Sequence, residues 1–219
     1  MNISWYGHSC FQCQFNINGE NVSFVVDPYN PNIGLKMPSL NADFALVTHQ
    51  HEDHNYVEAL KLTGEKTVID SPGEYEIKNV FVQGLASFHD DNQGKDRGQN
   101  VIYKIKGEGI TLAHLGDLGC DLNSEQLEAL ENVDILMIPV GGNYSLDAKK
   151  AAHLIKQLDP KIVIPMHYKI PGLDMDIEDL QPFAKEMGLG EYVVETSLKI
   201  SASQLVNENV IVKILKPLA

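Results

Sequence analysis

The chain is poor in the residues that would place it in several large functional classes. Its 219 residues contain a single arginine, Arg97, and no run of lysine and arginine. Acidic side chains number 30 against 17 basic ones, for a net charge of −13. Such a field repels polyanions, so a nucleic-acid partner is disfavoured. No stretch of about eighteen apolar residues occurs, which argues against a helical membrane span. The opening Met1-Asn-Ile-Ser-Trp-Tyr-Gly-His8 has no basic segment and no long apolar one. No secretory signal is therefore expected, and the protein reads as cytoplasmic. Cysteine is scarce and odd in number, at Cys10, Cys13 and Cys120. That argues against a disulfide framework and fits a reducing compartment. Cys10 and Cys13 form a C-x-x-C, but no second pair completes a zinc site. Alternation along 11–17 places Cys13 on the buried face of a strand and Cys10 on the opposite one. No G-x-G-x-x-G follows a first strand, which removes a Rossmann-like reading, and no G-x-S-x-G supplies a nucleophilic serine.

Against these absences stands a concentration of metal-ligand side chains. The run Thr48-His-Gln-His-Glu-Asp-His54 packs three histidines and an aspartate into the spacing H-x-H-x-D-H. The preceding segment, 43–48, reads as a short buried strand, and 55–62 reads as the start of a helix. Residues i and i+2 of an extended stretch project to one side, so His49 and His51 can converge on one cation. Asp53 and His54 stand where the strand gives way and can point to a second. Neutral imidazole and carboxylate are ligands that zinc accepts. Three further candidates each close a predicted strand: His89, Asp117 and His167. Strand-end loops along one sheet edge can meet at a single cleft.

The rest of the chain reads as one domain over residues 1–219, β-rich at first, then alternating β and α, then β. Strands are expected at 11–17, 22–26, 67–70, 80–87, 101–106, 109–115, 134–140 and 161–165. Helices are expected at 123–130, 146–158 and 177–187, and 192–215 is mostly strand-like. Asn18-Gly19 is a hairpin turn signal. That order suits an α/β four-layer αββα sandwich, two sheets face to face with helices outside.

The chain resembles the metallo-β-lactamase superfamily. The elements are Asp27 closing an early strand, the His49 to His54 cluster, His89, Gly116-Asp117 and His167, in that order. Within the superfamily it is similar to the small bacterial branch that includes ascorbate-6-phosphate lactonase. Trp5-Tyr-Gly-His-Ser9, Pro72-Gly-Glu-Tyr-Glu76, Pro139-Val-Gly-Gly142 and Ile164-Pro-Met-His-Tyr168 carry that likeness. The resemblance implies one metal site from His49, His51 and His89. It implies a second from Asp53, His54 and His167, with Asp117 bridging and Asp27 orienting the histidine loop. The cofactors expected are two divalent ions, zinc first, with manganese or iron as alternatives. The expected reaction is attack by an activated water on a lactone, ester or phosphodiester of a small anionic metabolite. The alternatives are a phosphodiesterase or nuclease of the same fold, or a non-catalytic metal-binding sensor. Asp53 and His8 are the expected catalytic residues, His8 as proton donor to the leaving group. Arg97 has two readings: recognition of an anionic substrate, or a loop staple to Asp91, Asp96 or Glu74. Glu74 and Tyr75 are candidates to line the cleft. A homo-oligomer is compatible with the sequence.

Overall fold

The computed structural model describes residues 1–206 and 209–218. In chain order the elements are β1 (Asn2–Trp5), β2 (Phe11–Ile17), β3 (Glu20–Val26), β4 (Leu40–Leu46), β5 (Leu60–Ile69), β6 (Gly73–Ile77), β7 (Val80–Phe88), β8 (Gln99–Gly107), β9 (Ile110–His114), α1 (Ser124–Ala129), β10 (Ile135–Pro139), α2 (Ala148–Leu158), β11 (Ile162–Met166), α3 (Gln181–Glu186), β12 (Val194–Glu195), β13 (Leu198–Lys199), β14 (Ile211–Val212) and β15 (Ile214–Leu215).

The strands form two main sheets, ordered β13-β1-β2-β3-β4-β5 and β14-β11-β10-β9-β8-β7-β6. One hydrophobic cluster draws on both. Trp5 packs on Tyr168 at 5.3 Å between ring centroids, and Phe11 on His114 at 5.8 Å. The Tyr103 hydroxyl reaches from the second sheet to the carbonyls of Val47 and Ile69. The expected two-sheet α/β sandwich is present, with few helices. The described α-helices α1, α2 and α3 follow strands of the second sheet.

Direction decides where the site lies. β3 and β4 pair in parallel, and β1 runs with them because β2 intervenes antiparallel to both β1 and β3. In the second sheet β7, β9, β10 and β11 likewise share one direction, with β8 reversed between β7 and β9. The carboxyl ends of β1, β3 and β4 therefore lie at one edge of their sheet, and those of β7, β9 and β11 at one edge of theirs.

Several local expectations are corrected. Residues 55–62 form no α-helix: a 3-10 turn at Val57–Ala59 leads straight into β5. The Tyr56 N–H donates to the Pro28 carbonyl, and Leu60 and Leu62 pair with Leu40 and Ala42. Long-range pairing overrides local periodicity here. α3 starts only at Gln181, because the backbone of Glu178 is bonded to Gly141 and Lys169 and Pro182 fits the first helical turn. Cys10 does not face away from the core. It sits in the turn before β2 and is as fully buried as Cys13. Burial pushes both thiols up, Cys10 well above the ordinary range, so the pair is inert packing. Glu74 and Tyr75 lie in the edge strand β6 and do not line the cleft beside His51, although the Tyr75 hydroxyl donates to the carbonyls of Ser71 and Pro72, which do. The strand-like tail is realised as short pairs, with β13 on β1 and β14 on β11, so it ties to both sheets. Asn207 and Glu208, within that expected tail, lie outside the described residues.

Candidate metal centre

His8 follows β1, Asp27 follows β3, the His49 to His54 run follows β4, His89 follows β7, Asp117 follows β9 and His167 follows β11. All are placed by the shared strand direction, so segments far apart in sequence meet at one edge. The structure brings together all seven residues expected to bind metal, in two adjoining groups. His49, His51 and His89 form one; Asp53, His54, Asp117 and His167 form the other, joined by His8. Within each group the candidate ligand atoms lie within 4.8 Å of one another. Asp117 Oδ2 links the groups, 3.3 Å from His89 Nε2, 3.2 Å from His54 Nε2 and 2.9 Å from His167 Nε2.

The histidines are aimed by their own hydrogen bonds. Asp27 accepts the Thr48 N–H at Oδ1 and the Thr48 hydroxyl at Oδ2, both at 2.8 Å. With its proton committed there, Thr48 Oγ1 is left to accept from His49 Nδ1 at 3.0 Å. His54 Nδ1 lies 2.9 Å from Asp27 Oδ2, as an N–H donated to the carboxylate would. One aspartate thus directs the Nε2 atoms of both rings into the cluster, the orienting role expected of it. Asn100, which sequence reasoning missed, does the same for Asp117. Its Oδ1 accepts the Asp117 N–H, while Nδ2 donates to Ser87 Oγ and Leu115 O. An amide at the head of the apolar run Val101-Ile-Tyr103 was the available signal. His114 is a packing residue: Nδ1 accepts the Gly116 N–H, so Nε2 donates to the Ser9 carbonyl.

His8, Asp27 and His167 all adopt positive φ, at 52°, 50° and 51°. Non-glycine residues rarely sit there, and such strain gathers at functional sites. The His167 N–H and the Trp5 indole both donate to the His8 carbonyl at 3.0 Å, which fixes the two strained turns against each other.

The charge distribution asks for a cation. Desolvation opposes ionisation of Asp53 and Asp117, yet neighbouring imidazoles hold both carboxyls below the ordinary range, His54 first for Asp53 and His167 first for Asp117. His54 is buried, which disfavours its charge, but Asp117, Asp53 and Asp27 together raise it well above the ordinary histidine value. His8 is lowered to about 4, chiefly by desolvation and then by His167. His49 Nε2 is buried with no hydrogen-bond partner, and buried His167 Nε2 meets only the Asp117 carboxylate, at 2.9 Å. Such imidazole nitrogens beside a shared carboxylate fit a divalent metal with nitrogen and oxygen donors.

The groups differ in access. His8, His54, Asp117 and His167 are buried, whereas His51 is exposed. A cleft of about 400 Å³ opens beside His49 and His51 and is lined also by Asp70, Arg97 and Gln99. Arg97 pairs with none of Asp91, Asp96 and Glu74, the partners of the staple reading. Its guanidinium lies over the Tyr144 ring, 4.4 Å from the centroid, with no carboxylate partner among the described residues.

Known proteins match this arrangement. Residues 2–167 match the family described as Beta-lactamase superfamily domain. The UPF0173 metal-dependent hydrolase of Methanopyrus kandleri is 27% identical over 224 residues, covering 89% of this chain and 96% of its own. That of Staphylothermus marinus is 30% identical over 192 residues, covering 76% and 82%. A crystal structure from Thermotoga maritima, assigned to a Zn-dependent hydrolase of the metallo-β-lactamase superfamily, superposes with a TM-score of 0.73 at 30% identity, covering 98% of this chain and 99% of that one. The metallo hydrolase Igni18 of Ignicoccus hospitalis shares the fold, with a TM-score of 0.66 at 20% identity over 99% of this chain and 95% of its own. With three-quarters of its length inside that family and the histidine–aspartate cluster at the strand ends, the chain belongs to the metallo-β-lactamase superfamily as a metal-dependent hydrolase.

Proposed function

We propose that residues 1–219 act as one hydrolase domain with a dinuclear centre that cleaves a lactone, ester or phosphodiester in a small anionic metabolite. The observation that carries this reading is the pairing of a buried ligand group with an adjoining group open to a cleft. His49, His51 and His89 would hold one ion. Asp53, His54 and His167 would hold the other, with Asp117 Oδ2 shared. The imidazole-rich donor set suits zinc or iron, and the carboxylates admit manganese. When bound there, such ions supply an activated water and Lewis-acid polarisation of the substrate oxygen. The chain's own residues orient the reactants. Asp117 fixes the relation between the groups through its contacts to three imidazoles. Asp53 keeps 18% side-chain exposure and would accept a hydrogen bond from the attacking water. His8 Nε2 lies 3.1 Å from both Asp53 Oδ2 and His54 Nε2. That inward aim favours holding Asp53, or joining the second ligand set, over donating a proton to the leaving group.

Elemental analysis of protein loaded with zinc, manganese or iron tests the reading, alongside His51→Ala. About two equivalents in the parent and a loss of about one in the variant are expected. Loaded protein should then turn over simple lactone or phosphodiester probes. Protein that takes up none of the three metals would overturn the proposal.

A further inference from the structure

The loop 89–98 leaves His89 and returns to β8 beside the cleft. One carboxylate organises it. Asp90 Oδ1 accepts the N–H groups of Asn92 and Gly94 at 2.8 Å, and Oδ2 accepts those of Asp96 and Arg97 at 3.1 and 2.8 Å. The Gly98 N–H closes the turn on Gly94 O, and the His89 N–H donates to Gly98 O. The Arg97 backbone is thereby tied to the segment that carries a candidate ligand.

Arg97 is exposed, and its side chain has a contact of its own. Its guanidinium packs over the Tyr144 ring. Tyr144 precedes Ser145, whose hydroxyl lies 3.5 Å from His167 Nδ1. Arg97 thus bridges the loops that follow β7 and β10 and lines the cleft with His49 and His51. Stacking occupies the face of a guanidinium and leaves its N–H edge free for a planar or tetrahedral oxyanion. No acidic side chain takes that edge among the described residues, although the chain has 30 of them. The one carboxylate lining the same cleft, Asp70, already accepts from Gln50 Nε2 and Ser71 Oγ. A lysine could supply the charge but neither the stack nor the two-pronged edge.

We propose that Arg97, fixed by Asp90 and Tyr144, is the specificity-determining residue of the cleft and binds a carboxylate or phosphate group of the substrate remote from the bond cleaved. This rests on the hydrolase reading for its substrate but not for its binding chemistry. The test is calorimetric titration of metal-loaded protein with phenyl phosphate, with phenylacetate and with neutral phenol. Wild type is compared with Arg97→Gln, Arg97→Lys and Tyr144→Leu, and metal content is measured on each sample. Wild type should bind at least one anion and not phenol. Arg97→Gln should lose about tenfold or more in that affinity, with Arg97→Lys and Tyr144→Leu weakened less and all variants holding the metal of wild type. The preferred anion identifies the substrate group. Arg97→Gln binding the anion as tightly as wild type at equal metal content would overturn the proposal, as would wild type binding neither anion. Wild type that holds no metal yet loses anion binding in Arg97→Gln would sink the hydrolase reading and leave this one standing.

Discussion

Asp27 shows how much of the centre depends on a residue at one remove from any ion. Its two oxygens serve Thr48 and His54, and through Thr48 they reach His49. Asp27→Ala should therefore lower metal affinity by roughly 10–100-fold without removing a ligand. Competition with a chromophoric chelator measures this, and unchanged affinity would show that the histidine loop holds its own geometry. Gly116 is a second such position. It has φ +56°, and a Cβ there would press on Asn100 Oδ1 and Thr48 Oγ1, the groups that place Asp117 and His49. Gly116→Ala is expected to cost more than ~1 kcal/mol, read by denaturant unfolding of the metal-free protein, with weaker metal uptake alongside. The sequence shows that a glycine precedes Asp117. It does not show that the space beside it is already filled.

At the scale of elements, the irregular middle of β4 carries a cross-link. The pairing of β4 with β5 shifts register between Ala42 and Phe44, at Asp43. The Asp43 carboxylate accepts from the Ser23 N–H of β3, the Thr63 hydroxyl of β5 and the Lys78 ammonium of the β6–β7 turn. Desolvation works against it, but Lys78, Ser23 and Thr63 together hold its carboxyl below the ordinary value. The sign follows from linkage. A lowered folded pKa contributes stability that is complete above the unfolded value, near ~3.9, and that is lost as pH falls through the folded one. Asp43→Asn should be less stable than wild type at neutral pH, and the gap should narrow on acidification below about pH 4. Thermal unfolding across that range checks it; a gap that widens in acid would contradict the assignment. The elements the sequence mispredicted fail for a related reason. Residues 55–62 carry a helical pattern, but β4 offers them a strand partner, and no local pattern encodes that partner.

For the whole molecule, a net charge of −13 coexists with a centre where three aspartates surround one imidazole. Cations that bind only the folded state stabilise it by mass action, about 4 kcal/mol when free metal is a thousand times its Kd. Stripping the protein with a strong chelator should lower its Tm, and returning zinc should restore it. A Tm indifferent to chelation of protein shown to carry metal would mean that the ions bind the unfolded chain as well as the folded one. No helix among the described residues is long and apolar enough to cross a membrane.

Ligand chemistry and ligand order are written in the primary structure. H-x-H-x-D-H, His89, Asp117 and His167 are covalent facts, and the alternation around them identifies strands that must pack as sheets. The primary structure also placed Asp27 as an orienting residue through the family resemblance. The grouping of the imidazoles follows from the resemblance as well, but folding alone brings His8 into the second group, sets Asn100 against Asp117 and lays Arg97 on Tyr144 rather than on an acid. The physical reason is range. Spacing and alternation fix which way a side chain leaves its own strand, over a few residues. Whether it meets a partner a hundred residues away depends on strand direction, sheet pairing and the close packing of the core, which are properties of the whole chain.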